Sequence, residues 1–356
     1  MEKDNTLTVG IDIGDRYSEI CIVDEEEGKV VVVETSRVKT TKETITRYFQ
    51  GRQPMLVAME VGTHSPWVSE VIRDLGHEVI VANARKLKFI YGNENKNDMV
   101  DAEALARVAR ADSELLYPIA HRPSVDAETM ALIRSRDALV RSRAMLVNHV
   151  RGMMKSCGER LKSGVSTQSF HKHAGDIPER IQPALEPVMK TIEEISRQIK
   201  VHDREIVQVS RKRYPETALL QEISGVGPIT ALAFILVVSD IERFKKNRSI
   251  GAYLGLTPRR DQSGDRDPEL SISKRGNPYL RRLLVSAAHY ILGPFGPDCD
   301  LKRYGARIAA RGGKRAKRRA AIAVAGKLSV LMLSLLRSGE NYEPLRQNLK
   351  RKGKAA

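Results

Sequence analysis

The sequence has 356 residues, of which 41% are hydrophobic and 29% charged, which excludes a disordered chain and allows two or more domains with real cores. Its 60 Lys and Arg against 44 Asp and Glu give a formal net charge of +16. That excess favours a polyanionic partner, most commonly nucleic acid, over a merely soluble basic protein. The three cysteines are too widely separated for a zinc site or a disulfide framework, and the sequence predicts no apolar leader and no transmembrane run. These features predict a cytoplasmic protein that does not associate with membranes.

The first chemically informative stretch is TLTVGIDIGD, at residues 6–15. Val9, Ile11 and Ile13 form an apolar, β-branched run that ends in glycine, which predicts a buried central strand. Asp12 lies within this run, where a carboxylate is costly to desolvate unless it is paired or binds a cation. We therefore expect partners for Asp12, and three later carboxylates are candidates, namely Glu60, Asp98 and Asp101.

The residues that follow predict the element order of a ribonuclease-H-like domain. Three strand-like runs within residues 7–36 are separated by hairpin connections. A helix at 41–49, a strand ending at Glu60, a helix in SPWVSEVIRDLG and a strand in HEVIVAN come next. With a final helix, this β-β-β-α-β-α-β order brings carboxylates at the ends of adjacent strands close to carboxylates on that helix.

The final helix of this domain begins in NDMVDAEALARVARA and carries the other two carboxylates. Asp98 and Asp101 are three residues apart, so they project from the same helical face. Helix capping by Asp98 and the helix dipole offer a purely structural explanation for these two acids. Their conjunction with Asp12 and Glu60 favours a four-carboxylate site for two-metal phosphodiester chemistry, with Mg²⁺ as the expected ion and Mn²⁺ as the other candidate.

Long helices with coiled-coil spacing are predicted between residues 126 and 212. In the first helix, apolar residues recur every seven positions, at Leu132, Leu139, Leu146 and Met153. A second seam with three- and four-residue steps runs from Leu185 to Val209, and His202 is its one polar position, predicted to set register. We expect these seams to join protomers into a dimer or tetramer, with an intramolecular helix pair as the alternative.

The last part of the chain combines a helical hairpin with basic loops. In ISGVGPITALAFI, Gly225 and Gly227 are predicted to form the tight turn of a helix-hairpin-helix element that offers N–H groups to a DNA phosphate, with a purely structural hairpin as the alternative. Ser263 follows in the turn RRDQSGD. Five cations surround it in the sequence: Arg259, Arg260, Arg266, Lys274 and Arg275. They suit charge developing at a phosphate, although serine in a polar loop is ordinarily only a turn residue.

Together these motifs resemble the IS110 family of insertion-sequence transposases over nearly the whole chain. The matching segments are VGIDIG, AMEVGTHS, KNDMVDAEALA, GVGPITA, YLGLTPRRDQSG and SKRGNPYLRR. The resemblance implies an α/β domain of RuvC-like, ribonuclease-H-like fold at residues 1–125, a helical coiled-coil linker at 126–212, and a mainly α serine transposase domain with a basic tail at 213–356. It also implies a bacterial or archaeal protein associated with the nucleoid.

The resemblance further implies a role for each site residue. Asp12, Glu60, Asp98 and Asp101 would form the Mg²⁺-binding DEDD cluster, and Ser263 would be a nucleophile that forms a covalent phosphoserine link to DNA. A structured guide RNA made from the element would pair with both donor and target DNA. None of these roles follows from composition or spacing.

Three other classes of function compete with this interpretation. The first is a metal-only, structure-specific DNA nuclease of the RuvC type, in which Ser263 is a turn residue. The second is an ATP-binding protein of the actin and sugar-kinase fold, because VGIDIG resembles its first phosphate loop; the missing second Asp-x-Gly turn and the charge of +16 argue against it. The third is a non-catalytic nucleic-acid scaffold, whose activity would not depend on Asp12.

Overall fold

The computed structural model describes residues 7–84, 86, 97–121, 124–161, 164–262 and 270–346. The chain divides into two compact units, Met1–Pro123 (unit 1) and Ser124–Ala356 (unit 2). The long helices that follow residue 124 belong to unit 2. The division into three parts, with a separate linker at 126–212, stays a prediction.

Unit 1 is built on a five-stranded mixed sheet with the strand order β3-β2-β1-β4-β5. The strands are β1 (Thr8–Ile13), β2 (Tyr17–Glu26), β3 (Lys29–Lys39), β4 (Leu56–Glu60) and β5 (Glu78–Ala82). β1 pairs antiparallel with β2 and parallel with β4, so the apolar run that begins the chain is the central strand, as predicted. This mixed α/β topology is consistent with a ribonuclease-H-like domain.

Helices cover both faces of the sheet in unit 1. They are α1 (Lys42–Phe49), α2 (Ser65–Asp74) and α3 (Asp98–Ala111), and the last is followed by a 3₁₀ turn at Ser113–Leu116. Side chains alternate between the faces of a strand, so Val9 and Ile11 pack on the side of α1 and α2. Cys21 and Val23 of β2 pack against α3 on the opposite side.

Unit 2 is helical. Its helices are α4 (Ser124–Ser156), α5 (Gln182–Arg213), α6 (Thr217–Gln221), α7 (Pro228–Val238), α8 (Ser249–Tyr253), α9 (Pro278–Leu292), α10 (Asp300–Ala309) and α11 (Gly313–Ser338). α7 is apolar all round and its side chains are almost entirely buried, which places it at the centre of the core. α9 and α11 supply much of the remaining core, with Leu280 and Leu284 from the former and Val324 and Leu328 from the latter.

The two helices predicted to join protomers pack against each other within one chain, but α4 does so mainly through positions next to the predicted heptad. Of the heptad residues, Leu146 is partly buried in this contact and Met153 is exposed. Val147 and Val150 of α4 share a buried cluster with Leu185, Met189 and Ile192 of α5. Residue numbers rise along α4 as those of its contacts fall along α5, so the pair is antiparallel. α4 and α5 therefore form the intramolecular helix pair that was the alternative. Assembly into a dimer or tetramer stays a prediction.

One described helix, α11, is long and apolar enough to cross a membrane by length and composition, although the sequence predicts no transmembrane run. Half of its apolar window is buried within the unit. Val324, Leu328 and Met332 on that helix are completely buried in the core of unit 2. α11 is thus packed as the core helix of a folded domain.

Candidate functional site

The carboxylates Asp12 and Glu60 lie at the ends of two adjacent parallel strands. β1 and β4 pair with Gly10 opposite Ala58 and Ile11 opposite Met59, and continuing this register brings Asp12 beside Glu60. Because side chains alternate along a strand, both carboxylates share the face that Gly10 and Ala58 present to α3. Each is half-buried. The sheet alone therefore brings together two of the four predicted acids.

Small residues allow α3 to lie directly on β1. A Cβ atom placed on Gly10 would lie 1.9 Å from the carbonyl oxygen of Ala102 and 2.6 Å from the amide nitrogen of Ala106. Both alanines are completely buried. This backbone-to-backbone contact fixes the height of α3 over the strand, and with it the position of the first helical turn, which carries Asp98 and Asp101.

The start of α3 leaves Asp98 without a capping role. The side-chain oxygen of Asn97 accepts a hydrogen bond from the amide of Met99 at 3.1 Å, so Asn97 is the N-cap. The structural explanation of Asp98 as the cap is therefore wrong. Asp98 is exposed and Asp101 is half-buried on the first turn.

The pKa values of the carboxyl groups reflect the proximity of all four predicted acids. The pKa of Asp12 is raised from 3.8 to about 6, mainly by burial and then by repulsion from Asp98, Asp101 and Glu19, in that order. Burial also raises the pKa of Glu60, with added repulsion from Asp12 and Asp101. Unit 1 thus concentrates negative charge at the end of its central strand, where a cation would offset it.

The chemistry of these donors fits a hard divalent cation, since all are carboxylate oxygens that repel one another. Among the described residues, no group of three or more Asp, Glu, His or Cys side chains is arranged to hold one ion. Few protein ligands are needed for a hard divalent ion of the Mg²⁺ type, which ordinarily takes one or two carboxylates and completes its shell with water and phosphate oxygens.

Glu19 is a fifth acid at this site, which the sequence analysis missed. It pairs directly with Asp12 across the β1–β2 ladder, and Arg37 of β3 pairs with Glu19 in turn. The Nε of Arg37 lies 3.2 Å from the Glu19 carboxylate, so this acid is partly neutralised by an ion pair. Counting outward from the hairpin turn at Gly14 would have revealed the pairing.

The segment that contains Ser263 is flanked by two paired arms. Ser263 and Arg266 lie outside the described residues. Pro258 and Ile272 form an antiparallel bridge, the amide of Arg259 donates to the carbonyl of Ser271 at 3.0 Å, and the amide of Ser273 donates to the carbonyl of Thr257 at 2.9 Å. We call residues 257–259 with 271–273 the ribbon.

Two glycines and an arginine hold the base of the ribbon, and the sequence analysis gave none of them a role. Gly255 has φ +68°, and a Cβ there would lie 2.1 Å from the carbonyl oxygen of Arg275. Gly276 has φ +79°, and its Cβ would lie 2.0 Å from the carbonyl oxygen of Tyr253. Arg281 Nη1 donates to the carbonyls of Leu254 and Arg275, both at 3.0 Å.

Comparison with known proteins identifies the family. Residues 217–298 match the family described as "Transposase IS116/IS110/IS902 family", and residues 9–158 match a second family, described as "Transposase", whose members carry an IS110-type DEDD domain. The chain is 30% identical over 342 residues to the transposase for insertion sequence element IS1111A of Coxiella burnetii, covering 94% of this chain and 90% of that protein. The chain belongs to the IS110 family of transposases.

Other transposases are similar over comparable lengths. A probable family 20 transposase of Pseudomonas aeruginosa is 28% identical, covering 96% of this chain and 99% of its own length. The transposase for element IS1328 of Yersinia enterocolitica is 28% identical, covering 80% of this chain and 83% of its own. Family membership makes this protein an enzyme that cuts and rejoins DNA, and the DEDD domain indicates use of a divalent metal ion.

The basic residues predicted to bind nucleic acid are surface residues of this transposase. The four that the structure describes, all exposed, are Arg259, Arg260, Lys274 and Arg275. Within the described ranges, none of the four forms an ion pair with a carboxylate. Their positive charge is therefore free to attract a polyanion near the ribbon.

The two glycines of the helical hairpin have different surroundings. Gly225 has φ +91°, and a Cβ there would lie 3.1 Å from the carbonyl oxygen of Ala287 and 3.0 Å from the ring of Tyr290, so packing on α9 accounts for it. Gly227 is the exposed N-cap of α7, with no atom within 4 Å of a Cβ placed there. Only the second glycine has an open backbone, and contact of either with DNA stays a prediction.

Replacing Gly10 by alanine is expected to destabilise unit 1 and reduce DNA cleavage. The new methyl group meets backbone atoms of α3, which cannot rotate away, so we expect a loss of about 1–3 kcal/mol from overpacking and a displaced first turn of α3. Urea unfolding and a cleavage assay measure the two effects. Gly62→Ala is the matched control, because no atom lies within 4 Å of its added Cβ. Equal stability of the two variants would contradict the proposed close contact.

Replacing Gly276 by alanine is expected to lower cleavage while the helical core stays folded. The substitution combines a strained positive φ with a collision at the base of the ribbon, and misplacement of a reacting segment by about 1 Å costs on the order of a hundredfold in rate. Gly339→Ala provides the control, because Gly339 also has a positive φ (+66°) but no atom within 4 Å of an added Cβ. If both variants cleave DNA equally well, positioning by the ribbon base is refuted.

Proposed function

We propose that this transposase uses the acids Asp12, Glu60, Asp98 and Asp101 to hold divalent metal and Ser263 as the nucleophile that becomes linked to DNA. The observation that supports the first half is the approach of Glu60 of β4 and of Asp98 and Asp101 of α3 to Asp12 at the end of the central strand, where the pKa of Asp12 is raised to about 6. The second half rests on the family resemblance and on the exposed cations flanking Ser263.

Mg²⁺ is the proposed metal and Mn²⁺ the alternative. When bound, the ion would offset charge on the attacking and leaving oxygens of a phosphodiester. Asp12 and Glu60 are fixed by the sheet, whereas Asp98 and Asp101 depend on the seating of α3 on Gly10. Glu19, held by Arg37, adds negative charge beside Asp12 and is proposed to strengthen the attraction of the site for a cation.

The serine step is a transesterification. The hydroxyl oxygen of Ser263 attacks the phosphorus and gives up its proton. The bond from phosphorus to one DNA strand breaks, and the strand oxygen that leaves takes up a proton to become a hydroxyl. Arg259, Arg260, Arg266, Lys274 and Arg275 are proposed to offset the charge that accumulates on the phosphate oxygens. Attack by a DNA hydroxyl on the phosphoserine then restores a phosphodiester and frees the serine, so no external energy source is needed.

Guidance by a structured RNA and assembly into a dimer or tetramer are further parts of the proposal. Support for the RNA comes from the family resemblance and from the net charge of +16. Sequencing the RNA that copurifies with the protein from cells carrying its element tests this part; recovery of no discrete element-derived RNA contradicts it. The protomer interface is proposed to lie outside the α4–α5 seam.

The second candidate function is a metal-only, structure-specific DNA nuclease of the RuvC type. The carboxylate site alone favours it, because such a site suffices for hydrolysis. The two candidates differ in one product, since only the serine mechanism leaves DNA covalently attached to protein. Labelled donor DNA analysed on a denaturing gel separates them: an adduct lost on proteolysis supports the serine mechanism, and cleavage without any adduct supports hydrolysis.

A further inference from the structure

The first two turns of α11 lack the features that ordinarily stabilise a helix start. The N-cap is Gly312, which offers no side-chain hydrogen bond, and the first turn carries no acidic residue. Lys314 and Arg315 stand there, at the positive end of the helix dipole. α3, in contrast, has Asn97 as its cap and acids in its first turn.

The same two turns place like charges next to one another. Lys314 lies four residues before Arg318, and Arg315 four before Arg319, so each pair is adjacent on the helix surface and repels. At 100° per residue these four cations span about 140° of the helix. Ala316 and Ala320 are buried on the opposite side. We call Lys314, Arg315, Arg318 and Arg319 the α11 basic face; Arg311 and Lys317 are exposed at its margins.

Three of these four cations lack an acidic partner among the described residues. Within the described part of the chain, Lys314, Arg315 and Arg318 form no ion pair with a carboxylate. Some exposed cations elsewhere in unit 2 do have such partners. Three examples are Arg303 with Asp298 at 2.6 Å, Arg197 with Glu194 at 2.7 Å, and Lys190 with Glu186 at 2.8 Å. Lys314, Arg315 and Arg318 therefore combine an unfavourable helix start with charge that no described carboxylate pairs, and a bound polyanion would offset it.

We propose that the α11 basic face binds the phosphate backbone of duplex DNA. This inference rests on the proposed function, in which the protein cuts and rejoins DNA. A rigid helix that presents two rows of cations suits the evenly spaced phosphates of a duplex. Residues 311–319 contain no aromatic side chain on which an unpaired base could stack, so the face lacks the feature by which proteins hold single strands.

The test is a triple variant, Lys314→Gln, Arg315→Gln and Arg318→Gln, measured for binding to duplex DNA over a range of salt concentrations. Glutamine is a good helix former and removes the repulsion, so Tm is expected to stay the same or rise. Log affinity falls as log salt concentration rises, and loss of three phosphate contacts makes this negative slope shallower by about 2.7. The same loss weakens binding about a hundredfold at 0.15 M salt.

The control is Lys190→Gln, Arg197→Gln and Arg303→Gln, which removes the same charge from paired positions. It is expected to bind duplex DNA within about threefold of the wild type. Equal losses in both triple variants, or none in the first, overturn the inference. A loss confined to a single-stranded RNA probe also overturns it in favour of an RNA surface. DNA cleavage by Asp12→Asn is measured in parallel. If Asp12→Asn loses cleavage while the α11 triple variant binds duplex DNA as tightly as the wild type, the proposed function stands and only this DNA-binding surface is rejected.

Discussion

Replacing Asp12 by asparagine is expected to abolish DNA cleavage without unfolding the protein. Asparagine has nearly the same shape, but it removes the charge at the centre of the acidic cluster. Loss of one carboxylate that positions a divalent ion is expected to cost about 4 kcal/mol of transition-state stabilisation, or about a thousandfold in rate. Cleavage of labelled donor DNA by purified protein measures the effect. Asp74→Asn, an exposed acid on α2, is the control and is expected to keep full activity.

Asp12→Asn is expected to lower cleavage but to raise the stability of the folded protein. The two opposite changes distinguish loss of charge from misfolding. The folded pKa of Asp12, about 6, lies above the ordinary value of 3.8, so the folded protein holds this proton more tightly. The resulting stability is fully present below the ordinary value and is lost as the pH rises through about 6. Asparagine loses no proton, so Asp12→Asn is expected to show a higher Tm than the wild type above that pH in EDTA. The metal assignment would be refuted if Asp12→Asn cleaved DNA at the wild-type rate, or if the wild-type protein cleaved DNA strongly in EDTA.

Asp12 and Glu60 were predictable as neighbours because two simple rules place them. Alternation fixes the face of each strand, and the order of strands and helices predicts that the first and fourth strands are parallel neighbours. Glu19 obeys the same alternation, but its pairing with Asp12 depends on the hairpin register, which requires the turn residues to be assigned. The close approach of α3 to β1 could not be predicted from the sequence pattern, because it depends on contact between Gly10 and two alanines that lie more than 90 positions later in the chain.

The helical part was harder to predict for a different reason. A heptad repeat predicts that a helix buries a stripe of apolar side chains against a second helix. It does not indicate whether that second helix belongs to the same chain. Leu185 and Met189 of α5 pack against Val147 and Val150 of α4 in the same chain. The ribbon shows a related limit. Gly255 and Gly276 stand in recognisable motifs, but their need for a positive φ and for close backbone contact becomes visible only in three dimensions.

Ser263→Ala is expected to eliminate the covalent protein–DNA adduct and all strand exchange. The variant removes one hydroxyl group and none of the nearby cations, so binding of donor DNA is expected to persist. Ser271→Ala is the matched control, because Ser271 is exposed on the ribbon and contributes its backbone carbonyl, which alanine retains. Denaturing gels with labelled DNA report the adduct, and gel shifts without denaturant report binding. A protease-sensitive shifted band that persists in Ser263→Ala would end the proposal.

The adduct is decisive because it distinguishes strand exchange from hydrolysis by its energetics. In hydrolysis, water attacks the phosphodiester and the energy of the bond is lost. A phosphoserine is still a phosphate ester, so a strand hydroxyl can attack it and restore the DNA strand. If the protein were a metal-only nuclease, its Ser263→Ala variant would cleave DNA as fast as the wild type, and neither protein would rejoin the cut strands. Ser263→Cys refines the test, since a thiolate is nucleophilic but is a poor ligand for Mg²⁺. Trace adduct with cysteine and none with alanine would identify attack by the side chain of residue 263 as the step that preserves the bond.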